Sequence, residues 1–305
     1  MPFDIEIYLN SLPDNSEFIN VSGRHLYYLP DNSEFINVSG RHLTELPDLS
    51  RFTFLKILHC GSNKLTSLPP LNENLEILYC DNNQLTSLPP LNEKLKTLYC
   101  DNNQLTSLPP LNEKLKRLYC DNNKLTSLPL LNENLEILYC DNNQLTSLPP
   151  LNEKLKKLYC DSNQLTSLPP LNENLEELNC FDNKLTSLPS LNENLKDLNC
   201  SDNKLTSLPP LNENLKKLIF NHNPIYYVLG NYPYKNTFQL NMEIKKINKK
   251  INKFRDMYYS LKFKKNFIKW LWKSKEKQIA EKYHPKYLLE NLDENTDLDE
   301  LLEKW

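Results

Sequence analysis

One 20-residue pattern recurs from Leu55 to about Pro224, and it restricts the fold more than any other feature of the sequence. A typical copy starts at Leu75 and reads Leu-x-x-Leu-x-Cys-x-x-Asn-x-Leu-x-x-Leu-Pro-x-Leu. The cysteine returns in constant register, at Cys60, Cys80, Cys100, Cys120, Cys140, Cys160, Cys180 and Cys200, and a ninth copy has Phe220 in its place. This pattern predicts a solenoid, because stacked units must present the same groups to their neighbours.

The spacing within one repeat predicts a short strand, a turn and an irregular return path. Leu78 and Cys80 are two residues apart, so on a strand they share the buried face while Tyr79 points away from it. Asn83 follows the strand, where its amide can bond the backbone of its own turn and of the adjoining repeat. We therefore predict an internal ladder of asparagines. Pro89 fixes φ and lacks an N–H, which favours a polyproline-like return path without an α-helix.

This repeat resembles the leucine-rich repeat, and its short Leu-Pro-x-Leu form is similar to the 20-residue repeats of bacterial effector proteins. The uniform cysteine and the wording Asp-Asn-Asn-Gln-Leu-Thr-Ser-Leu-Pro also resemble repeat proteins of giant DNA viruses. The resemblance covers about residues 33–225. It implies a leucine-rich repeat solenoid with a curved parallel β-sheet and a polyproline-like, irregular convex side, but such scaffolds serve many unrelated functions.

All eight cysteines fall on the inward strand position. Adjacent parallel strands lie about 4.8 Å apart, which is wider than the Cβ separation of about 3.8 Å that a disulfide prefers. We therefore expect buried, reduced thiols and a reducing compartment. Zinc binding is the alternative, but the sequence has no Cys-x-x-Cys motif or histidine cluster. No metal or cofactor is predicted.

The sequence contains no predicted targeting or membrane segment. The first residues include Asp4 and Glu6 and hold no apolar run, unlike a signal peptide. No apolar stretch reaches the length of about 18 residues that a membrane-spanning helix needs. We expect an intracellular, cytoplasmic protein, in the host cytoplasm if it is viral.

Three segments are predicted along the chain. Residues 1–32 hold the first copy of a 15-letter stretch, LPDNSEFINVSGRHL, that is repeated 17 residues later. Residues 33–225 form the solenoid; within them the second copy supplies the first strand and caps the array, with Ile36 and Val38 pointing inward. Whether the first copy adds another strand is left open by the sequence. Residues 226–305 form a carboxyl-terminal cap followed by basic and acidic helices.

The composition of the carboxyl-terminal segment differs sharply from that of the repeats. Apolar residues 225–234 are predicted to cover the last strand, which would otherwise be an open edge. From Lys235 to Leu288 the chain has 16 Lys or Arg and 4 Asp or Glu. Ile244, Ile247 and Ile251 have helical spacing there, which predicts a small α-helical region.

The outward strand positions are the candidate binding residues, because packing determines the inward ones. The candidates are Tyr79, Tyr99, Tyr119, Tyr139 and Tyr159, together with Asp81, Asp101, Asp121, Asp141 and Asp161. Tyrosine is enriched at protein interfaces, which favours a partner-binding face. The alternative is that these side chains only stabilise adjacent strands, at about 0.2–1 kcal/mol per pair, or merely reflect duplication of the repeat.

We therefore predict a monomeric, non-enzymatic scaffold that binds a protein partner on the concave face of the sheet. Binding of nucleic acid or an anionic membrane by the basic helices is the alternative. An enzyme is not predicted. The similar repeats of some bacterial effectors precede a ubiquitin-ligase domain with a catalytic cysteine, but here the last cysteine, Cys200, lies within the repeats. No catalytic residue is therefore assigned.

Overall fold

The computed structural model describes residues 32–229, the backbone of Ile19–Asn20, and helical residues 242, 244–246, 248–250, 253 and 264. In this part of the chain, 11 strands form one sheet whose order follows the sequence. Every adjacent pair is parallel. The strands are β1 (Ile19–Asn20), β2 (Phe35–Asn37), β3 (Ile57–His59), β4 (Ile77–Tyr79), β5 (Thr97–Tyr99), β6 (Arg117–Tyr119), β7 (Ile137–Tyr139), β8 (Lys157–Tyr159), β9 (Glu177–Asn179), β10 (Asp197–Asn199) and β11 (Lys217–Ile219).

The register of the sheet follows the sequence repeat. From β3 onward each residue pairs with its equivalent in the next repeat, as Tyr79 does with Tyr99. At the amino end, Ile36 pairs with both Leu58 and Ile19. The first copy of the duplicated stretch therefore supplies β1, which answers the question that the sequence left open. The second copy supplies β2. The prediction that this copy forms the first strand of the array is therefore wrong, because β1 precedes it in the sheet.

The core is a continuous column of side chains on one face of the sheet. Leu78 and Cys80 have no exposed surface, and the same holds for Ile36 and Val38 in the first full repeat. Leu88 packs against this core from the return path and is half-buried. The predicted inward set is confirmed. It is buried because strand residues two apart lie on the same face.

The asparagine ladder is also confirmed. Asn83 Nδ2 donates to the carbonyl oxygens of Cys60 and Cys80, each at 3.1 Å. Its Oδ1 accepts a hydrogen bond from the N–H of Leu65 at 3.0 Å. One side chain thus joins two repeats and satisfies backbone groups that would otherwise be buried without partners.

Two regular features of the repeat were not predicted. The residue before each ladder asparagine has left-handed backbone, with φ of 52° at Asn82. Asparagine and aspartate tolerate this conformation better than most residues. A second asparagine ladder lies on the return path, where Asn92 Nδ2 donates to the Asn72 carbonyl at 2.7 Å. Its Oδ1 accepts from the N–H of Lys94 at 2.8 Å.

The return path of the described repeats contains neither helix nor strand, as predicted. After β11 the chain forms helix α1 (Pro224–Leu229). Ile225 in α1 is fully buried, and its N–H donates to the Leu205 carbonyl at 2.9 Å. Tyr226 contacts Phe220 edge-on, with ring centroids 5.6 Å apart. The predicted cap therefore begins at this helix, while residues 230–234 lie outside the described residues.

The chain divides into two compact units, Met1–Ile247 and Asn248–Trp305. Residues 242, 244–246 and 248–250 are helical, as the spacing of the isoleucines predicts, and Ile244 is buried. Ile247 and Ile251 lie outside the described residues. The segment boundaries at residues 32 and 225 stay predictions.

Candidate functional site

Three columns of side chains form the face of the sheet opposite the core, which we call the outer sheet face. The first column consists of Ile57, Ile77, Thr97, Arg117, Ile137, Lys157, Glu177, Asp197 and Lys217. The tyrosine column consists of Tyr79, Tyr99, Tyr119, Tyr139 and Tyr159, and the aspartate column of Asp81, Asp101, Asp121, Asp141 and Asp161. The structure therefore places all ten predicted binding residues on one face.

The tyrosine column is a row of contacting rings. The ring centroids of Tyr79 and Tyr99 are 4.6 Å apart, and those of Tyr99 and Tyr119 are 4.2 Å apart with nearly parallel planes. Tyr139 stacks on Tyr159 at 4.2 Å and is tilted by 36° against Tyr119 at 5.0 Å. This spacing follows from the separation of parallel strands, about 4.8 Å. Each ring is half-buried, so part of every ring remains open to a partner.

The carboxyl end of the tyrosine column is fixed by polar contacts. The Tyr159 hydroxyl donates to Glu177 Oε2 at 2.8 Å, and Lys157 Nζ lies 2.8 Å from Glu177 Oε1. Burial and the hydrogen bond to Glu177 raise the pKa of Tyr159. The hydroxyl therefore stays protonated at neutral pH and acts as a donor.

The aspartate column places like charges side by side beyond the strand ends. Burial raises the pKa of Asp101 to about 6, and the neighbouring Asp121 carboxylate adds to this effect. Burial, and then the Asp161 carboxylate, raise the pKa of Asp141 to about 6 as well. Asn102 Nδ2 donates to Asp101 Oδ2 at 2.8 Å. Among the described residues, no lysine, arginine or histidine forms an ion pair with this column.

The cysteines lie behind this face and take no part in it. All eight are free and buried, which confirms the predicted column of thiols. Burial raises the pKa of Cys200 to about 12, and those of the other thiols also rise. The Cys80 thiol donates to the Tyr99 carbonyl at 3.2 Å. Such protonated thiols are poor nucleophiles and poor metal ligands.

The residues that the structure describes contain no group of three or more histidine, cysteine, aspartate or glutamate side chains arranged to hold a metal ion. No helix among them combines the length and the apolar character needed to cross a bilayer.

No role was predicted for the first column. Its residues differ from repeat to repeat, so they follow no period that could single them out. The structure shows that the column carries an ion pair at its Lys157 and Glu177 positions and a single arginine, Arg117, beside the small Thr97.

Comparisons with known proteins agree with this architecture. A family model described as leucine-rich repeats in two copies matches residues 73–113 and 113–153. Together with the parallel strands and the ladder, this makes the chain a leucine-rich repeat protein. Its repeats resemble those of bacterial effectors. No curated protein sequence matches the chain.

Two solved structures of the effector YopM are similar to the repeat array. YopM from Yersinia enterocolitica WA-314 is 31% identical over 72% of this chain and 54% of that one, with a TM-score of 0.61. YopM from Yersinia pestis is 35% identical over 63% and 61% of the two chains, with a TM-score of 0.56. This chain therefore spans a little over half the length of the YopM structures. The leucine-rich repeat protein LRIM1, at 21% identity and a TM-score of 0.51, shares the fold alone.

Proposed function

We propose that this protein is a non-enzymatic scaffold that binds a protein partner on the outer sheet face, which is the concave face of a curved repeat sheet. Leucine-rich repeat folds are typical of protein–protein interaction scaffolds. The main observation behind the proposal is the row of half-exposed, stacked tyrosines. Beside it lie aspartates that form no ion pair with a lysine, arginine or histidine in the part of the chain that the structure describes.

The rigidity of this face supports the proposal. Each strand is held by ladder hydrogen bonds to both neighbours, and the stacked rings limit one another's movement. A preorganised surface loses little conformational entropy on binding. Tyrosine then offers a large apolar body and a polar tip, the combination found at binding hot spots.

The proposal is tested by replacing Tyr99, Tyr119 and Tyr139 together with alanine in the full-length chain. Proximity labelling and pulldown in the native cell first identify the partner, and binding is then measured with the purified proteins. We expect at least a tenfold loss of affinity with a retained circular dichroism spectrum. The matched control replaces exposed Thr106, Thr126 and Thr146 with alanine in the same repeats. Unchanged affinity of the tyrosine variant would disprove binding at this face.

A second candidate function belongs to the basic helical region. Lys249, Lys250 and Lys253 are exposed helical residues within the segment of high positive charge. Exposed lysines attract nucleic acid or anionic lipid, and such binding weakens with salt. The full-length protein would then be retained on heparin or DNA at low salt. Changing these three lysines to glutamate should abolish retention, whereas the same change at exposed Lys64, Lys124 and Lys184 should have a smaller effect.

We also propose a monomer in a reducing, intracellular compartment, which is the host cytoplasm if the resemblance to giant-virus repeats reflects the origin of the chain. The buried free thiols support a reducing compartment, because cysteines persist unpaired there. Light scattering of the purified protein tests the monomer, and imaging of the tagged chain in its native cell tests the location. A mass of two chains or a secreted product would contradict these proposals.

A further inference from the structure

A cleft of about 540 Å³ opens at the start of β4, β5 and β6. Its charged lining comprises the basic residues Lys96, Lys114, Lys116 and Arg117 and one acidic residue, Glu76. Thr97 contributes to its wall. Because Ile77, Thr97 and Arg117 belong to the first column of the outer sheet face, the cleft opens on the same face as the tyrosine column.

The positive charges of the cleft are only partly compensated. Lys96 Nζ lies 2.7 Å from Glu76 Oε2, and Lys116 Nζ lies 3.5 Å from Glu136 Oε1. Neither Lys114 nor Arg117 has an acidic partner among the residues that the structure describes. Both side chains are exposed. Two positive charges are therefore available to a ligand at this point of the face.

The position of Arg117 connects the cleft to the tyrosine column. In the first column it follows Thr97, which is smaller than the isoleucines at the equivalent positions of β4 and β7. Arg117 and Tyr119 are two residues apart on β6, so they lie on the same face of the sheet. Burial raises the pKa of Tyr79 and Tyr99, and the positive charge of Arg117 opposes that rise. A group bound by Arg117 would therefore lie on the face of the sheet that carries the rings.

We propose that this cleft is an anion-binding subsite that receives a carboxylate or phosphate side chain of the protein partner. The inference rests on the proposed function, since the partner's remaining contacts would be with the tyrosine column. The Arg117 guanidinium offers a planar fork of donors that matches two oxygens of such a group. Lys114 adds a second, more flexible positive charge.

Three end-blocked hexapeptides carrying an uncharged fluorophore test the proposal on the full-length protein. Each contains one phenylalanine for the tyrosine column and one test residue, which is phosphoserine, glutamate or serine. Fluorescence polarisation at low salt should show binding of one or both anionic peptides and at least tenfold weaker binding of the serine peptide. Tighter binding of the phosphoserine peptide than of the glutamate peptide would identify a phosphorylated partner. Equal binding of these two peptides would identify a partner with an acidic side chain.

The variant R117Q should weaken anionic-peptide binding about tenfold or more, the usual effect of losing charge-assisted hydrogen bonds. The matched control is K217Q, which removes the same charge from the same column outside the cleft and should leave binding unchanged. Equal binding of all three peptides, or equal losses in the two variants, would overturn the subsite.

Neither result would affect the tyrosine test, because that test measures capture of the natural partner. Conversely, R117Q-sensitive peptide binding combined with unchanged partner affinity of the tyrosine variant would refute the proposed function alone.

Discussion

At the scale of the residue, the ladder asparagines connect the repeats most directly. Asn123 Nδ2 donates to the carbonyl oxygens of Cys100 at 3.0 Å and Cys120 at 3.2 Å, and its Oδ1 accepts from the N–H of Leu105 at 2.9 Å. Its neighbour Asn122 is exposed and has left-handed backbone, with φ of 51°. The two adjacent asparagines therefore have different roles, one in the core and one in the turn.

This difference leads to a prediction for Asn123→Asp. The carboxylate has the same shape but no donors, so buried carbonyls lose their partners and face a negative charge. We expect a loss of about 3–5 kcal/mol in the free energy of unfolding. The control Asn122→Asp should cost about 1 kcal/mol or less, because other repeats already have aspartate there, at Asp182 and Asp202. Urea unfolding followed by circular dichroism measures both, and equal losses would contradict the buried role.

The aspartate column predicts a dependence of stability on pH. The pKa of Asp101 and Asp141 is about 6 in the folded protein, above the value of about 3.8 for an unperturbed aspartate. The folded state therefore binds more protons than the unfolded state between these values, and stability must fall as the pH rises through 6. Solvent screening limits the contribution of each residue to about 1 kcal/mol or less.

The measurement compares thermal unfolding at pH 4 and pH 7. Relative to the wild type, the double variant D101N/D141N should gain stability at pH 7 and gain much less at pH 4, where the aspartates of the unfolded chain are themselves partly protonated. The control E93Q/E133Q changes the net charge equally at exposed return-path positions. If both double variants shift the profile alike, the effect arises from net charge and not from the column.

At the scale of the element, each strand has an apolar side and a tyrosine side that contribute unequally to stability. Leu138 is fully buried, so Leu138→Ala should cost about 2–5 kcal/mol through lost burial and the remaining cavity. Tyr139 is half-buried and contacts mainly the rings of its neighbours. Tyr139→Ala should therefore cost about 0.5–1.5 kcal/mol. Chemical denaturation of the two variants checks the ratio, and similar losses would show that the strand faces are assigned wrongly.

The elements also show what the sequence could and could not predict. Strand positions, the buried face and the asparagine ladder follow from a strict period, because a repeated side chain must meet its own copy. The ladder of Asn72 and Asn92 is equally regular, but its function depends on how closely two return paths approach each other. Strand β1 was uncertain because a step of 17 residues departs from the period of 20. The cleft depends on Thr97 and Arg117, which replace the isoleucine found at the equivalent position of β4 and β7. A repeating pattern does not reveal the effect of such exceptions.

At the scale of the whole repeat array, stability should be local. Each described strand pairs only with its sequence neighbours. In such a solenoid the stability of each repeat depends on its own interactions and on its interfaces with the two adjacent repeats. The main contacts between described strands likewise join each strand to the next one along the chain, in contrast to a globular domain of the same length. Damage in one repeat should therefore spread with decreasing effect toward both ends of the array.

Hydrogen exchange of the Leu138→Ala variant tests this expectation. The N–H groups of Cys120 and Cys140 donate to the carbonyls of Tyr139 and Tyr159 at 2.9 and 2.8 Å, so they report opening on both sides of the altered strand. We expect their exchange to accelerate most, with a much smaller change at Cys60, because local opening includes only the destabilised repeats and their neighbours. The control Leu58→Ala, near the amino end, should reverse this gradient. Uniform acceleration in both variants would instead show that the array unfolds as one cooperative unit.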